Sequence, residues 1–179
     1  MSRFKKWAER EYSKKQRVIV LFLGGIFFVV AIPFFLITAS SHIDKWFHFQ
    51  TFVYGAINHI IGLLFISMGL LFAVWSIQVQ FFVGRGTPVP MIPTQKLVVQ
   101  RPYSYCRNPM SLGTIIFYLG IAIWSGSLST VGLALIFAML LMVYNKMVDE
   151  TELEERFGFE YLEYKRKTPF LIPRLRKKN

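Results

Sequence analysis

Two stretches of this chain, residues 47–83 and residues 111–145, contain no Asp, Glu, Lys or Arg. Each is longer than the ~20 apolar residues that cross a ~30 Å hydrocarbon core as a helix. A third uncharged apolar run occupies residues 18–39. Three such runs in 179 residues cannot all be hidden in a water-soluble core, and 54% of the chain is hydrophobic. Lipid offers a backbone no hydrogen-bond partners, so spanning segments this long must be helices. The expectation is a single-domain, all-α integral membrane protein with about four transmembrane helices.

The net charge of +11 invites a nucleic-acid reading, but the charge is segregated. Residues 1–17, 84–107 and 146–179 hold 20 of the 21 Lys and Arg, and Lys45 is the exception. Basic residues beside spans set topology and meet anionic lipids. The pattern therefore predicts no nucleic-acid partner, and both termini on the cytoplasmic side of four spans. Size and style suggest a prokaryotic inner membrane. No cleavable signal is evident. The single cysteine, Cys106, excludes an internal disulfide and a multi-cysteine metal site. His42 and His48 lack the carboxylates or helical spacing of a metal site, so no metal is expected.

Residues 1–17 form a basic segment, either an amphipathic helix on the headgroups or a topology-setting tail. Residues 18–83 supply two spans. Gly24-Gly25 and Pro33 mark a packing or bending point in the first. Residues 40–50 are expected to form a loop, with Trp46 at the interface. In the second, Asn58 and His59 are placed to hydrogen-bond a neighbouring helix. Glycines and prolines exclude a regular helix over much of residues 84–108, with an extended piece at 97–99. Residues 109–145 form a helical hairpin turning at Ser125-Gly126-Ser127. The second arm continues into an acidic helix that Gly158 closes. A short helix over 159–167, stopped by Thr168-Pro169, completes a C-terminal cap over 146–179.

The densest polar chemistry lies in residues 96–113, KLVVQRPYSYCRNPMSLG, between the two uncharged stretches. Asn108-Pro109 is a helix start, with Asn as N-cap and Pro at the first helical position. The run Leu97-Val98-Val99-x-x-Pro102-Tyr103-x-x-x-Arg107-Asn108-Pro109-Met110-x-Leu112-Gly113 resembles the signature of the isoprenylcysteine carboxyl methyltransferase and phospholipid methyltransferase superfamily. A second run, Asp149-Glu150-x-x-Leu153-x-x-x-Phe157-Gly158-x-x-Tyr161-x-x-Tyr164, is similar to that family's second motif. Gly84-x-Gly86-Thr87-Pro88-x-Pro90 resembles the entry to the first motif in bacterial members. Together these cover about half the chain.

The resemblance implies a methyltransferase whose S-adenosylmethionine binds in a cytoplasmic cap and whose lipid-like substrate enters from the bilayer. It implies Arg107 and Glu150 as the catalytic pair. Arg107 is suited to bidentate pairing with a carboxylate, and Glu150 either contacts the cofactor or pairs with Arg107 and holds it. Leu97, Val98, Tyr103, Asn108, Pro109 and Asp149 join them around the cofactor. Ser111, Tyr161 and Tyr164 are implied near the substrate. Of the acidic pair Glu150 is the stronger candidate, because Asp149 replaces the usual first Glu. Glu152, Glu154 and Glu155 are expected on a solvated face.

Three departures stand out. Asn108 occupies the place of a common His and cannot serve as acid or base. Arg101 replaces a glycine, and Ser111 replaces an aromatic residue. The loss of the imidazole favours carboxylate or phenol-type acceptors over an amine, and a carboxylate is already ionised at neutral pH and needs no base. Competing readings are a nicotinamide-dependent membrane reductase of related helical architecture and a non-catalytic membrane scaffold.

Overall fold

A computed structural model describes residues 12–52, 55–88 and 92–173. Among these residues the protein is helical, with no strand. Helix α1 runs Lys14–Phe47, α2 Ala56–Phe82, α3 Pro109–Ser125, α4 Leu128–Phe157 and α5 Phe159–Lys167. Helices α1, α2 and α4 are long and apolar enough to cross a membrane. The 17-residue α3 is ~26 Å long at 1.5 Å per residue. Phe22, Phe34 and Leu71 are each about 70% exposed (68%, 71% and 72%), part of an apolar belt that only lipid can cover. The chain is an integral membrane protein.

The helices alternate in direction. Arg17 near the start of α1 meets the Phe81 carbonyl at the end of α2. At the opposite end, Asp44 of α1 accepts a hydrogen bond from Ser127 at the start of α4. There too Asn58 at the start of α2 donates to the Ile123 carbonyl near the end of α3 (3.2 Å) and to Phe52 (2.9 Å). Asn58 thus bonds a neighbouring helix, as expected, while His59 packs edge-on to Trp124. Both sequence motifs come to the same end of the bundle, where the cap lies.

The centre of the bundle is the α2–α3 contact, and small residues make it. Gly62, Gly69 and Ser76 recur every seven residues along α2, as do Gly113 and Gly120 along α3. A seven-residue period keeps a stripe facing one partner, and a stripe without side chains lets two backbones touch. A Cβ on Gly69 would lie 2.5 Å from the Phe117 nitrogen, and one on Gly113 would lie 2.7 Å from the Ala73 nitrogen. Against this pair pack α1 and α4, through Leu36, Phe117, Tyr118, Ile121, Ala122 and Ala134.

Helix α1 differs from expectation. It begins with a reciprocal cap, Ser13 accepting from the Gln16 amide and Gln16 from that of Ser13. It widens into a π turn at Phe27–Ala31, just before Pro33, which has no N–H for the carbonyl four residues back. The Tyr118 hydroxyl donates to the Phe28 carbonyl in that turn at 2.8 Å. The loop expected over residues 40–50 is instead helix as far as Phe47. No glycine or proline interrupts residues 34–47, and the hydroxyls of Thr38 and Ser40 bond back to Phe34 and Ile37. The helix stops at His48, whose φ is 55°.

The hairpin and cap follow the sequence closely. Pro109 opens α3, Gly126 (φ 61°) closes it, and Ser127 caps α4 through the Thr130 amide. Helix α4 leaves the apolar region through a second π turn, Asn145–Asp149. Gly158 (φ 52°) then allows the sharp turn into α5. Position 1–11 readings lie outside the described residues.

Gly69→Val forces backbone atoms apart where there is no space, and should destabilise the protein by about 1–3 kcal/mol. Gly132→Ala, with no heavy atom within 4 Å of the added Cβ and a better helix former in the interior of α4, should hold or raise stability. Thermal unfolding of both variants in one detergent tests this, and equal midpoints would refute the α2–α3 stripe as a packing surface.

Candidate functional site

The first motif reaches the cap through a loop folded tightly over the end of α2. A Cβ on Gly86 would sit 2.4 Å from the Thr94 Cα, and one on Gly84 2.8 Å from the Gln80 carbonyl oxygen. Only glycine fits at such approaches. The loop therefore closes on itself, with Thr87 N–H bonded to Ile92 and Gln95 N–H to Gly84. Leu97 and Val98 then pass along the cavity wall without forming a strand.

Arg107 ties the cap together. Its Nε donates to Glu150 at 2.9 Å, and its Nη2 lies 2.7 Å from the same carboxylate oxygen. Its Nη1 donates to the carbonyls of Lys165 (2.8 Å) and Thr168 (2.6 Å). A guanidinium has five N–H bonds, and these contacts use four. Its backbone N–H also bonds Pro169. The fork is thus already filled by the protein, and at most one N–H is left for a ligand. The second carboxylate oxygen of Glu150 meets Lys165 at 2.8 Å. Glu150 is buried and does not line the cavity; Arg107 does.

Asn108 stands at the N-cap position of α3, yet makes no side-chain cap. Its amide Nδ2 donates instead to the Phe170 carbonyl at 3.2 Å. The expected capping role is therefore replaced by a tether on the C-terminal segment. Nearby, Ser111 accepts a hydrogen bond from the buried Asn145 amide at 2.7 Å.

These residues surround a cavity of about 650 Å³. Tyr103, Arg107, Asn108, Pro109, Ser111, Asp149, Tyr161 and Tyr164 all line it, with Leu97 and Val98. Of the residues implied by the sequence, only Glu150 stands behind the wall. The cavity continues beside Leu21, Phe28, Ile32, Leu70, Phe137 and Leu140, so a polar chamber in the cap opens into an apolar trough among the spans.

The acidic run of α4 divides by helical periodicity. Asp149, Glu152, Leu153 and Arg156, spaced i, i+3, i+4 and i+7, share one face and line the cavity. Glu150 and Glu154, four apart, both meet Lys165 away from it. Glu152, expected on a solvated face, is buried and paired with Arg156 at 2.8 Å. Arg156 also donates to the Thr94 carbonyl. Among the described residues no cation pairs with Asp149, whose carboxylate accepts from the Tyr144 hydroxyl. The charged residues of the cavity are Arg107 and Arg156, paired with Glu150 and Glu152, Glu152 itself, and Asp149, whose carboxyl burial and the neighbouring Glu152 push up to about 7.

The tyrosines close the wall. Tyr164 donates to the Tyr103 carbonyl at 2.7 Å, and Tyr161 is almost wholly buried. Burial pushes the phenols of Tyr103, Tyr161 and Tyr164 well above their ordinary range, so all three remain protonated donors. Burial likewise pushes the Cys106 thiol up to about 11, which removes it from nucleophilic or redox chemistry near neutral pH.

The family model described as phospholipid methyltransferase matches residues 57–160. The chain belongs to that family, within the superfamily of membrane methyltransferases that includes the isoprenylcysteine carboxyl methyltransferases. The matched residues run from the start of α2, through the loop and hairpin, to the start of α5. Helix α1 lies outside them. No curated protein and no solved structure matches the chain. Membership of the family implies methyltransferase activity on lipid-type substrates.

Sequence reasoning missed Glu152, Asn145 and Tyr144, which line the cavity. The i, i+4 pairing of Glu152 with Arg156 was a usable signal. Asn145 closing an uncharged span was another.

Removing one partner of the buried Arg107–Glu150 pair strands the other, a loss of about 3–5 kcal/mol. Glu150→Gln should therefore lower the unfolding midpoint far more than Glu154→Gln. The double variant Arg107→Met, Glu150→Leu should lose less than the sum of its single changes. Additive losses would show that the pair does not hold the cap. Cys106 should resist a maleimide at pH 8 in the folded protein, where the thiol is protonated and covered, and label fully after denaturation. Rapid labelling of the folded chain would contradict the buried placement.

Proposed function

We propose that this chain transfers the methyl group of S-adenosylmethionine to a membrane-resident amphiphile, whose acceptor is a lipid head group, a phenol or a carboxylate. The observation that carries the reading is the charge balance of the cavity. Its unpaired carboxylate, Asp149, favours a cation, and its arginines are already satisfied by Glu150, Glu152 and backbone carbonyls. S-adenosylmethionine carries a sulfonium, an ammonium and a carboxylate, is a cation overall, and suits that balance. When bound it supplies an activated methyl group. A nicotinamide dinucleotide brings phosphates, for which the cavity offers no uncommitted cation among the described residues.

The protein's part is to orient and to exclude water. Asp149 draws the cationic ligand, and Leu97 and Val98 give it an apolar wall. Asn108, Pro109 and Ser111 stand where α3 begins, between the polar chamber and the trough. Tyr103, Tyr161 and Tyr164 seal the chamber as neutral donors. Arg107 and Glu150 act by holding these walls in register, with one Arg107 N–H available to the reacting groups. The trough beside α1 and α4 suits the acceptor's apolar chain. Basic segments near the cap orient it to the cytoplasm with both termini, in a prokaryotic inner membrane whose anionic lipids they meet.

Calorimetric titration of the detergent-purified protein tests the reading. S-adenosylhomocysteine should bind saturably and NADPH should not. Asp149→Asn should weaken the binding of S-adenosylmethionine at least ~10-fold, the loss expected for one charge-assisted contact. Binding of NADPH alone would overturn the proposal.

A further inference from the structure

The cavity changes from apolar to charged along two helices, and the change falls at one hydrogen bond. On α4 the lining residues Phe137 and Leu141 give way to Asn145 and then to Asp149, each about one turn from the last. On α3, read from the cap, Ser111 and Thr114 give way to Phe117. The two series meet where the Asn145 amide donates to the Ser111 hydroxyl at 2.7 Å. From Phe137 to Asn145 the trough runs ~12 Å, at 1.5 Å per residue. An amphiphile with its chain in the trough therefore brings its head to this bond, about one turn short of Asp149.

The pair has hydrogen-bonding capacity to spare. Ser111 is half-buried and lines the cavity, and its own hydrogen has no acceptor among the described residues. Asn145 is buried, so its amide serves to fix the serine. The result does not depend on how that amide is set. As it stands, Ser111 keeps a hydrogen to donate. With the amide turned over, Ser111 would donate to Asn145 and keep lone pairs to accept. Either way Ser111 has a hydrogen-bonding role open toward the cavity.

Charge selects the group that can fill this role. An anionic head taken out of water needs a cation, and both arginines of the cavity are paired. An ammonium head would compete for Asp149 with the cationic ligand drawn there. An uncharged hydroxyl meets neither obstacle. Because it both donates and accepts, it complements Ser111 in either setting of the amide. Ser111 also stands where the signature it belongs to carries an aromatic residue, and its short side chain leaves room for a ring.

We propose that Ser111 holds the hydroxyl of a phenol-headed amphiphile whose chain lies in the trough, with Asn145 as the positioning residue that fixes Ser111. Ser111 is then a specificity-determining residue for the acceptor. This inference rests on the proposed methyl transfer, and chooses the phenol among the acceptors named there.

The test is a binding series on the full-length protein in lipid nanodiscs, with S-adenosylhomocysteine present. The probes are para-dodecylphenol, para-dodecylbenzoate and dodecylbenzene, which share a chain and differ in the head. Wild-type protein should bind the phenol roughly tenfold more tightly than dodecylbenzene, the discrimination of one hydrogen bond in a closed site, and more tightly than the benzoate. Ser111→Ala should bind the phenol and dodecylbenzene alike, and Ser111→Thr, which keeps the hydroxyl, should still prefer the phenol. Asn145→Leu should narrow the preference while S-adenosylhomocysteine still binds. A merely structural role would weaken every probe equally and leave the preference intact. Preference retained in Ser111→Ala would overturn the proposal, and preference unchanged in Asn145→Leu would overturn the positioning role. Wild-type protein that binds the phenol no better than dodecylbenzene, or that favours the benzoate, would overturn it even if no variant folds. Failure of the wild type to bind S-adenosylhomocysteine would instead overturn the cofactor reading on which it stands.

Discussion

The cap exists because Arg107 and Glu150 find each other. They are 43 residues apart in sequence, with all of α3 and most of α4 between them. A buried ion pair adds little net stability of its own, since both charges leave water to form it. Its effect is geometric. Once one charge is buried, any arrangement that separates the two is expensive, so the start of α3 is fixed against the outer part of α4. The remaining Arg107 donors reach the carbonyls of Lys165 and Thr168. The same guanidinium therefore fixes the segment after α5, and Asn108 repeats the tie one residue on.

Filling the Arg107 fork from within has a consequence for the ligand. An arginine in a cavity is ordinarily read as an anion receptor. Here its charge is matched before any ligand arrives, as Arg156 is matched by Glu152. Asp149 is then the one acid facing the chamber that no cation pairs among the described residues. Which acid faces the chamber follows from the course of α4. Residues 149, 152 and 156 share a face, and residues 150 and 154 share another. The π turn at Asn145–Asp149 adjusts the winding immediately before that division, while Asn145 is held by Ser111.

The fold was largely legible because lipid simplifies the code. Uncharged runs can only be helices, Pro109 and Gly158 punctuate where expected, and charge blocks mark the cap. The seven-residue spacing of small residues was present in the chain, but its meaning depends on which helices meet. The end of α1 was misread because Ser40, Asp44 and Lys45 look like a loop by polarity, whereas their neighbours contain nothing that breaks a helix. In the site, the motifs named the right segments without resolving which side of each wall a residue occupies. Glu150 and Asp149 are adjacent in sequence, and ~100° of helical rotation separates them.

The two ends of the cavity are built on different physics. The polar chamber is closed by directional bonds: the Arg107 contacts, the Tyr164–Tyr103 bond and the loop pinned by its glycines. Each fixes a distance and an angle, which a small polar ligand can use for recognition. The trough is bounded on one side by the first part of α1, Lys14–Ile26, which buries no residue. Arg17 fastens that part to α2 by one hydrogen bond to the Phe81 carbonyl (2.9 Å) and by stacking on its ring at 4.6 Å. Between helices in lipid there is no hydrophobic drive to association, because acyl chains are as apolar as the side chains they replace. A wall with no buried side chain therefore costs little to displace, whereas opening the chamber would break several buried polar bonds at once. The asymmetry suits a site that must hold one ligand in a fixed geometry while admitting another from the bilayer.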